Sequence, residues 1–397
     1  MRIQGRFVAT VAVAVLAAGC GSGGGSGGSG GSGPITIGEI ASLTGNYTPL
    51  GTSDKLAAQQ AVNEINEAGG LLGGRRLRLV VKDDQTTPAQ AVIDFNDLTG
   101  QGVTAIIGSP FSNAALATIP LVARRKIPYM SPAASDQQVD PVRPYVFMTP
   151  ADAGAGATRL LTYFKAVGMT RVAVAYDTKS AFAVTGHGAM AKDASSFGVH
   201  LVDTEKFETT TTDFSSVFTH VRDSGAQALM VWATGAPAVV VTKQFATAGL
   251  NMKLVLSHAE ASSLWSKPSG AAAEGVILPV SFGVVGPELP ASKLKDTVTA
   301  MAGPYQKANG TYPPQFAFDG YAAVKLLAAA ITRAGSTDGT KIQKAMEHLT
   351  LLTPSGVFHY SPTDHAGLNA DDLVMAVVKN GRFTLTPQAA AQLKSLN

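Results

Sequence analysis

The feature that most constrains this chain is an alternation of short apolar runs with amphipathic stretches, begun twice. "ITIGEIAS" from residue 35 reads as a buried strand, and after it Leu56, Ala57, Ala61, Val62 and Ile65 share one helical face from about Asp54. "RLRLVVKDD" turns Leu77, Leu79 and Val81 inward. "TTPAQAVIDFNDL" then predicts a helix with Thr87 as N-cap, Pro88 at the first helical position, and Val92, Phe95 and Leu98 as its buried stripe. "VTAIIG" and "IPYMSPAAS" supply the next strands. After about residue 153 the rhythm restarts: "RVAVAYD", "VHLVDTEKF", "ALMVWAT" and "LVLSHA" read as strands, with helical stretches near 186–196, 214–224 and 237–248 between them. Strands alternating with helices of this length specify βαβ units and parallel sheets. The expected fold is α/β, with two similar doubly wound lobes. Helices at 290–309 and 314–334, then short strands in "DDLVMAVVKNGRF", form a third block, which implies a return to the first lobe.

Ahead of this body, Arg2 and Arg6 precede "FVATVAVAVLAAG", an apolar run of signal-peptide length and too short to span a bilayer. It ends at Cys20, the single cysteine among 397 residues. "LAAGC" resembles the lipobox of bacterial lipoproteins, whose cysteine is acylated and becomes the mature N-terminus. Here Leu16 stands four places before the cysteine, and Ala17 holds the usual leucine site. The other reading is a cleaved signal whose end carries a cysteine by chance. A lone cysteine forms no internal disulfide, so the body must be stable through core burial. "GSGGGSGGSGGSG" at 21–33 has nothing to bury and reads as a flexible tether or a cloning linker.

The remaining length exceeds one ordinary core, which again favours two lobes. Apolar residues are 45% and charged residues 15% of the chain, which suits a compact body. The net charge is +3, and the basic clusters are only "RR" at 75–76 and "RRK" at 124–126, so nucleic acid is not an expected partner. No later run has the length and apolarity of a membrane span.

In open parallel sheets ligands bind beyond the carboxyl ends of the strands. The loops at 109–113, 131–136, 177–182 and 257–262 all lie there, and two facing lobes would bring them together at a cleft. Enzyme motifs do not fill it. No G-x-x-x-x-G-K-[ST] occurs, "GAGATR" at 154–159 is only a partial dinucleotide fingerprint, and neither Ser109 nor Ser112 sits in G-x-S-x-G. The seven histidines are scattered singly, without H-E-x-x-H, so no metal, cofactor or catalytic activity is predicted. The polar loop 109–113 suits a carboxylate instead. Ser112 or Asn113 can cap a helix from Ala114, leaving further N–H groups of its first turn for an anion. Alternatively, Ser112 only caps its own helix. "SPAAS" at 131–135 adds a second hydroxyl loop. Glu260 has no lysine or arginine within six positions, and either meets a ligand ammonium or is a solvated loop acid. Together the loops would hold a zwitterion.

These segments resemble the type I periplasmic solute-binding proteins of the branched-chain amino acid (Leu/Ile/Val) ABC transporter group. The likeness spans nearly all of 35–384 and includes "IGEIASLTGNYTPLG", "AVNEINEAGGLLGGRRLRLVVKDDQTTPAQA", "IIGSPFSNAALA", "IPYMSPAAS", "FAFDGYAAVKLLAAAI" and "SPTDHAG". The resemblance implies a Venus-flytrap of two lobes with a three-crossing hinge: 34–152 plus 284–353, and 153–283 plus 354–397, behind a leader of 1–19 and a tether of 20–33. It implies that Ser112 holds the ligand carboxylate with Asn113 beside it, that Ala133 makes a backbone contact, and that Ser135 stands for the usual threonine. Glu260 falls near the acid that meets the ammonium. Leu50 replaces an aromatic that often lines the pocket, and Phe182 lies where a tyrosine commonly closes over the ligand. "WATGAPA" replaces a tyrosine-rich turn. The implied function is capture of a small amino acid or related carboxylate, branched-chain or aromatic, by lobe closure. The implied partner is an ABC permease, served by a monomer lipid-anchored outside the cytoplasm. A ligand-sensing receptor domain is the rival, and a secreted α/β enzyme the more distant one.

Overall fold

The computed structural model describes residues 33–395. Cys20 and the Gly/Ser tract through Ser32 lie outside them. The first sheet holds β1 (Ile35–Ala41), β2 (Leu77–Asp83), β3 (Ala105–Ile107), β4 (Tyr129–Ser131) and β5 (Val146–Met148), in the order β2-β1-β3-β4-β5. Every pairing in it is parallel, with Ile37 opposite both Leu79 and Ala105. The crossovers are α1 (Thr48–Glu67), α2 (Pro88–Gly100) and α3 (Ser112–Arg125). Helices cover both faces of such a sheet, so β1 buries Ile35, Ile37, Ile40 and Ala41 alike, and Glu39 among them. α1 starts at Thr48, earlier than the sequence periodicity suggests, with a proline in its first turn. Thr87 occupies the N-cap of α2 as expected, but its hydroxyl donates to the Asp84 carbonyl instead of capping the helix.

The second sheet contains β6 (Arg171–Asp177), β7 (His200–Phe207), β8 (Ala228–Trp232), β9 (Lys253–Leu256) and β10 (Ile277–Ser281). β11 (Thr350–Thr353) and β12 (Gly356–His359) pair only with each other, whereas β13 (Leu373–Lys379) and β14 (Arg382–Leu385) complete the second sheet. Its order is β14-β13-β10-β9-β8-β6-β7, parallel from β7 to β10 and antiparallel at β13 and β14. Its helices are α4 (Ala153–Ala166), α5 (Ala181–Asp193), α6 (Ser215–Asp223), α7 (Ala236–Thr247) and α8 (Ser263–Ser269).

The third block is α9 (Lys293–Asn309), α10 (Gln315–Ala334) and α11 (Gly339–Met346), and α12 (Pro387–Ser395) ends the described chain. α10 returns to the first lobe and packs along α1. The Tyr321 hydroxyl donates to Glu64 at 2.6 Å and Lys325 pairs with the same carboxylate at 2.7 Å. The approach is close because Gly320 has no Cβ; one there would sit 2.4 Å from the Asp54 carbonyl oxygen. After β12, Tyr360 donates to the Met148 carbonyl and the Met148 amide donates to His365, so this stretch is tied to β5. The chain thus passes between the sheets three times: after β5, after β10, and between β12 and β13.

Candidate functional site

The carboxyl ends of both sheets meet at one cavity. Leu50, Phe111 and Ser112 line it from the first lobe, Ser180, Phe182, Thr234 and His258 from the second, and Gln315, Phe316 and Asp319 from the start of α10. Tyr47 also reaches the wall and packs against Phe111 with ring centroids 4.8 Å apart and the planes tilted by 32°. The cavity measures about 40 Å³, roughly three times the room that one water needs. That fits a small ligand held closely.

One end of the cavity is a helix start with unused donors. β3 runs into a loop that Ser109 organises: its hydroxyl donates to buried Asp84 and accepts the Phe111 amide at 3.1 Å. The N-cap of α3 is therefore Phe111, and the helix begins at Ser112. Neither Ser112 nor Asn113 caps it, which corrects the expectation of a helix starting at Ala114. Because Ser109 does the local work, the Ser112 hydroxyl and the amides of Ser112, Asn113 and Ala114 have no acceptor or donor partner among the described residues. Free amides at a positive helix end suit an anion.

Behind the wall of the opposite lobe lies an acid: His258 and Ala259 line the cavity, and Glu260, next in the chain, does not. Glu260 closes a 3-10 turn (His258–Glu260) beyond β9, is 1% exposed, and accepts the Ser257 hydroxyl at 2.7 Å through Oε2. Its Oε1 has no partner. Burial pushes this carboxyl well above the usual range, and the Ser257 hydrogen bond offsets only part of that. Glu260 is thus a buried acid rather than a solvated one, and its field reaches Tyr47 on the cavity wall. His258 donates from Nε2 to the Ala151 carbonyl at 3.1 Å, and burial holds its pKa down at about 4. The imidazole is neutral at neutral pH, and no lysine or arginine lines the cavity.

Of the residues singled out from sequence, Leu50, Ser112 and Phe182 lie on the cavity wall. Ala133 lies in the same loop as wall residues Pro132 and Ala134, with its own amide and carbonyl bonded to Ser131 and Gln138. Asn113 and Ser135 reach across to the other lobe. Asn113 donates from Nδ2 to the Lys179 carbonyl at 2.9 Å and accepts the Ala181 amide at 3.0 Å. Ser135 Oγ and Thr185 Oγ1 are 3.1 Å apart. Sequence reasoning missed Tyr47, Thr234, His258, Gln315, Phe316 and Asp319. An aspartate amid the otherwise apolar "FAFDGYAA" was a usable signal for the last of these.

Among the described residues no group of His, Cys, Asp or Glu is arranged to hold a metal ion, and no helix is long and apolar enough to cross a membrane.

Comparison with known proteins agrees with this architecture. A Leu/Ile/Val-binding protein homolog from Brucella melitensis is 27% identical over 333 residues, 83% of this chain and 88% of that protein. A leucine-, isoleucine-, valine-, threonine- and alanine-binding protein from Pseudomonas aeruginosa is 24% identical over 330 residues, covering 81% and 84%. The fold is shared with a branched-chain amino acid transporter substrate-binding protein of Streptococcus pneumoniae solved with isoleucine, at a TM-score of 0.78 and 21% identity over 88% of this chain and 97% of that one. It is shared equally with a Rhodopseudomonas palustris solute-binding protein solved with benzoate, at 0.77 and 19% over 89% and 95%. Residues 34–382 match the periplasmic binding protein family, and the chain belongs to that family of extracytoplasmic solute-binding proteins.

Proposed function

We infer that this protein captures a small amino acid, or a closely related carboxylate, and hands it to an ABC importer without chemical change. One observation carries the reading. The helix start at Ser112, with donors that no protein group uses, lies on the cavity wall, and the facing wall at His258 and Ala259 runs directly into a buried Glu260 with an unused oxygen. A carboxylate satisfies the first and an ammonium the second, each compensating a polar group that is otherwise costly to bury. Ala133 and Ser135 fix the loop beside the headgroup, Leu50 and Phe182 flank the side chain, and Asn113 helps to hold the lobes together. The names of relatives favour branched-chain side chains. The aromatic wall of Tyr47, Phe111, Phe182 and Phe316 favours a second reading, an aromatic acid. Cys20 would carry the lipid that keeps a monomer near its permease.

The test is calorimetry on protein unfolded and refolded to strip carried-over ligand. Leucine, isoleucine, valine, alanine and phenylalanine are compared with benzoate and with 4-methylpentanoate, which is leucine without its ammonium. Amino acids are expected to bind, and Glu260→Gln to weaken them at least about tenfold, 1.4 kcal/mol, while sparing the acids. Equal weakening of both classes would remove Glu260 from the ligand. Binding of the acids alone would establish the second reading.

A further inference from the structure

We propose that Gln315 and Asp319 form a polar recognition point in the cavity, so that the preferred ligand carries a hydrogen-bonding hydroxyl or amide on its side chain rather than a purely aliphatic one. This rests on the cleft being the ligand site. Both residues line the cavity from the first turns of α10, one helical turn apart. Gln315 donates from Nε2 to Asp319 Oδ1 at 2.9 Å, and its Oε1 accepts the Ser281 amide at 3.3 Å. The glutamine is therefore fixed in orientation with one amide hydrogen still unused. Asp319 is 0% exposed, and its Oδ2 has no partner. These are a donor and an acceptor already desolvated at the wall of a cavity that has no basic residue to meet them.

The surroundings keep that acid available. Asp54 and Glu39 are buried nearby, and their carboxylate oxygens also lack partners. Burial pushes Asp319 well above its ordinary range, with the Gln315 hydrogen bond offsetting part of this, and burial together with the fields of Asp319 and Glu39 does the same to Asp54, so Asp319 holds a proton. A protonated carboxyl donates as well as accepts, which suits a hydroxyl or an amide equally. A methyl group in the same place would leave Asp319 Oδ2 and the Gln315 amide hydrogen unpaired. A site built to hydrogen-bond a ligand group discriminates against the analogue lacking it far more strongly than an apolar pocket discriminates against an added hydroxyl.

The experiment uses two near-isosteric pairs, threonine against valine and asparagine against leucine, on the refolded full chain by calorimetry. The polar member of at least one pair is expected to bind at least about tenfold tighter. Asp319→Leu should abolish or invert that preference, and Asp319→Asn, which keeps a donor and an acceptor, should retain most of it. Equal or tighter binding of both aliphatic members to the wild type overturns the proposal without needing any variant to fold. So does a polar preference that survives in a folded Asp319→Leu protein. If no amino acid of either pair binds while benzoate does, the amino-acid reading of the site fails first, and this inference with it.

Discussion

At the scale of the residue, the cost of burying charge explains more than any motif. Glu39 sits in the middle of β1 with both carboxylate oxygens unpartnered, and burial pushes its pKa up to about 8, with Lys55 offsetting only a little. The sign follows from linkage. The unfolded chain ionises this group near 4.5, whereas the folded one keeps it neutral until about 8. Its contribution to stability is fully present below 4.5 and is lost as pH rises toward 8. His258 acts in the opposite sense: its contribution is present above 6.5 and is lost as pH falls toward 4. Asp54, raised by burial and by the fields of Asp319 and Glu39, and Asp319, raised by burial, add to the alkaline loss. Between pH 6.5 and 8 the histidine is silent, and Glu39 alone should cost about 2 kcal/mol. Glu39→Gln is expected to flatten denaturant-derived stability across that window relative to wild type. Parallel curves for the two proteins would show that Glu39 ionises freely in the fold.

At the scale of the element, the facing helix starts of α3 and α5 are the contact that holds the lobes together. Asn113 bridges them with two hydrogen bonds, and Ser135 adds a third to Thr185 on α5. Each net hydrogen bond is worth about 0.5–1.5 kcal/mol. Asn113→Ala should therefore weaken ligand binding about fivefold to a hundredfold, because closure and binding share one free energy. Its effect on the melting temperature of the unliganded protein should be small, since each lobe keeps its core. A large fall in that temperature with unchanged affinity would make Asn113 a folding residue instead. The same residue marks how far the sequence could be read. The alternation of strands and helices was legible, since both sheets rest on local periodicity, and so was the loop after β3. The partner of Asn113 was not, because it lies 66 and 68 residues away, on another lobe. Ser112 was found as a loop hydroxyl, but its freedom depends on Ser109 taking the local bonds with Asp84, 25 residues upstream. Gln315 and Asp319 escaped for a similar reason: only the return of α10 to the first lobe brings them to the cleft.

At the scale of the whole molecule, three chain crossings join the two lobes and provide a hinge about which the cleft can open. Ligand must then supply the difference between open and closed states, and it can shift that equilibrium only by its preference for the closed one. Periplasmic binding proteins are the standing example of such closure. The conformation described here, with Asn113 and Ser135 bonded across the cleft, is a closed one. Small-angle scattering of the refolded protein without ligand is expected to give a radius of gyration larger than that of this conformation. Saturating ligand should bring it down to match. Asn113→Ala should leave the unliganded value unchanged and require more ligand to reach the compact one. If the unliganded protein already scatters as the closed form does, and ligand changes nothing, the lobes are locked by the protein alone. Recognition would then depend on a ligand entering a standing cavity, and Asn113 would govern access rather than affinity.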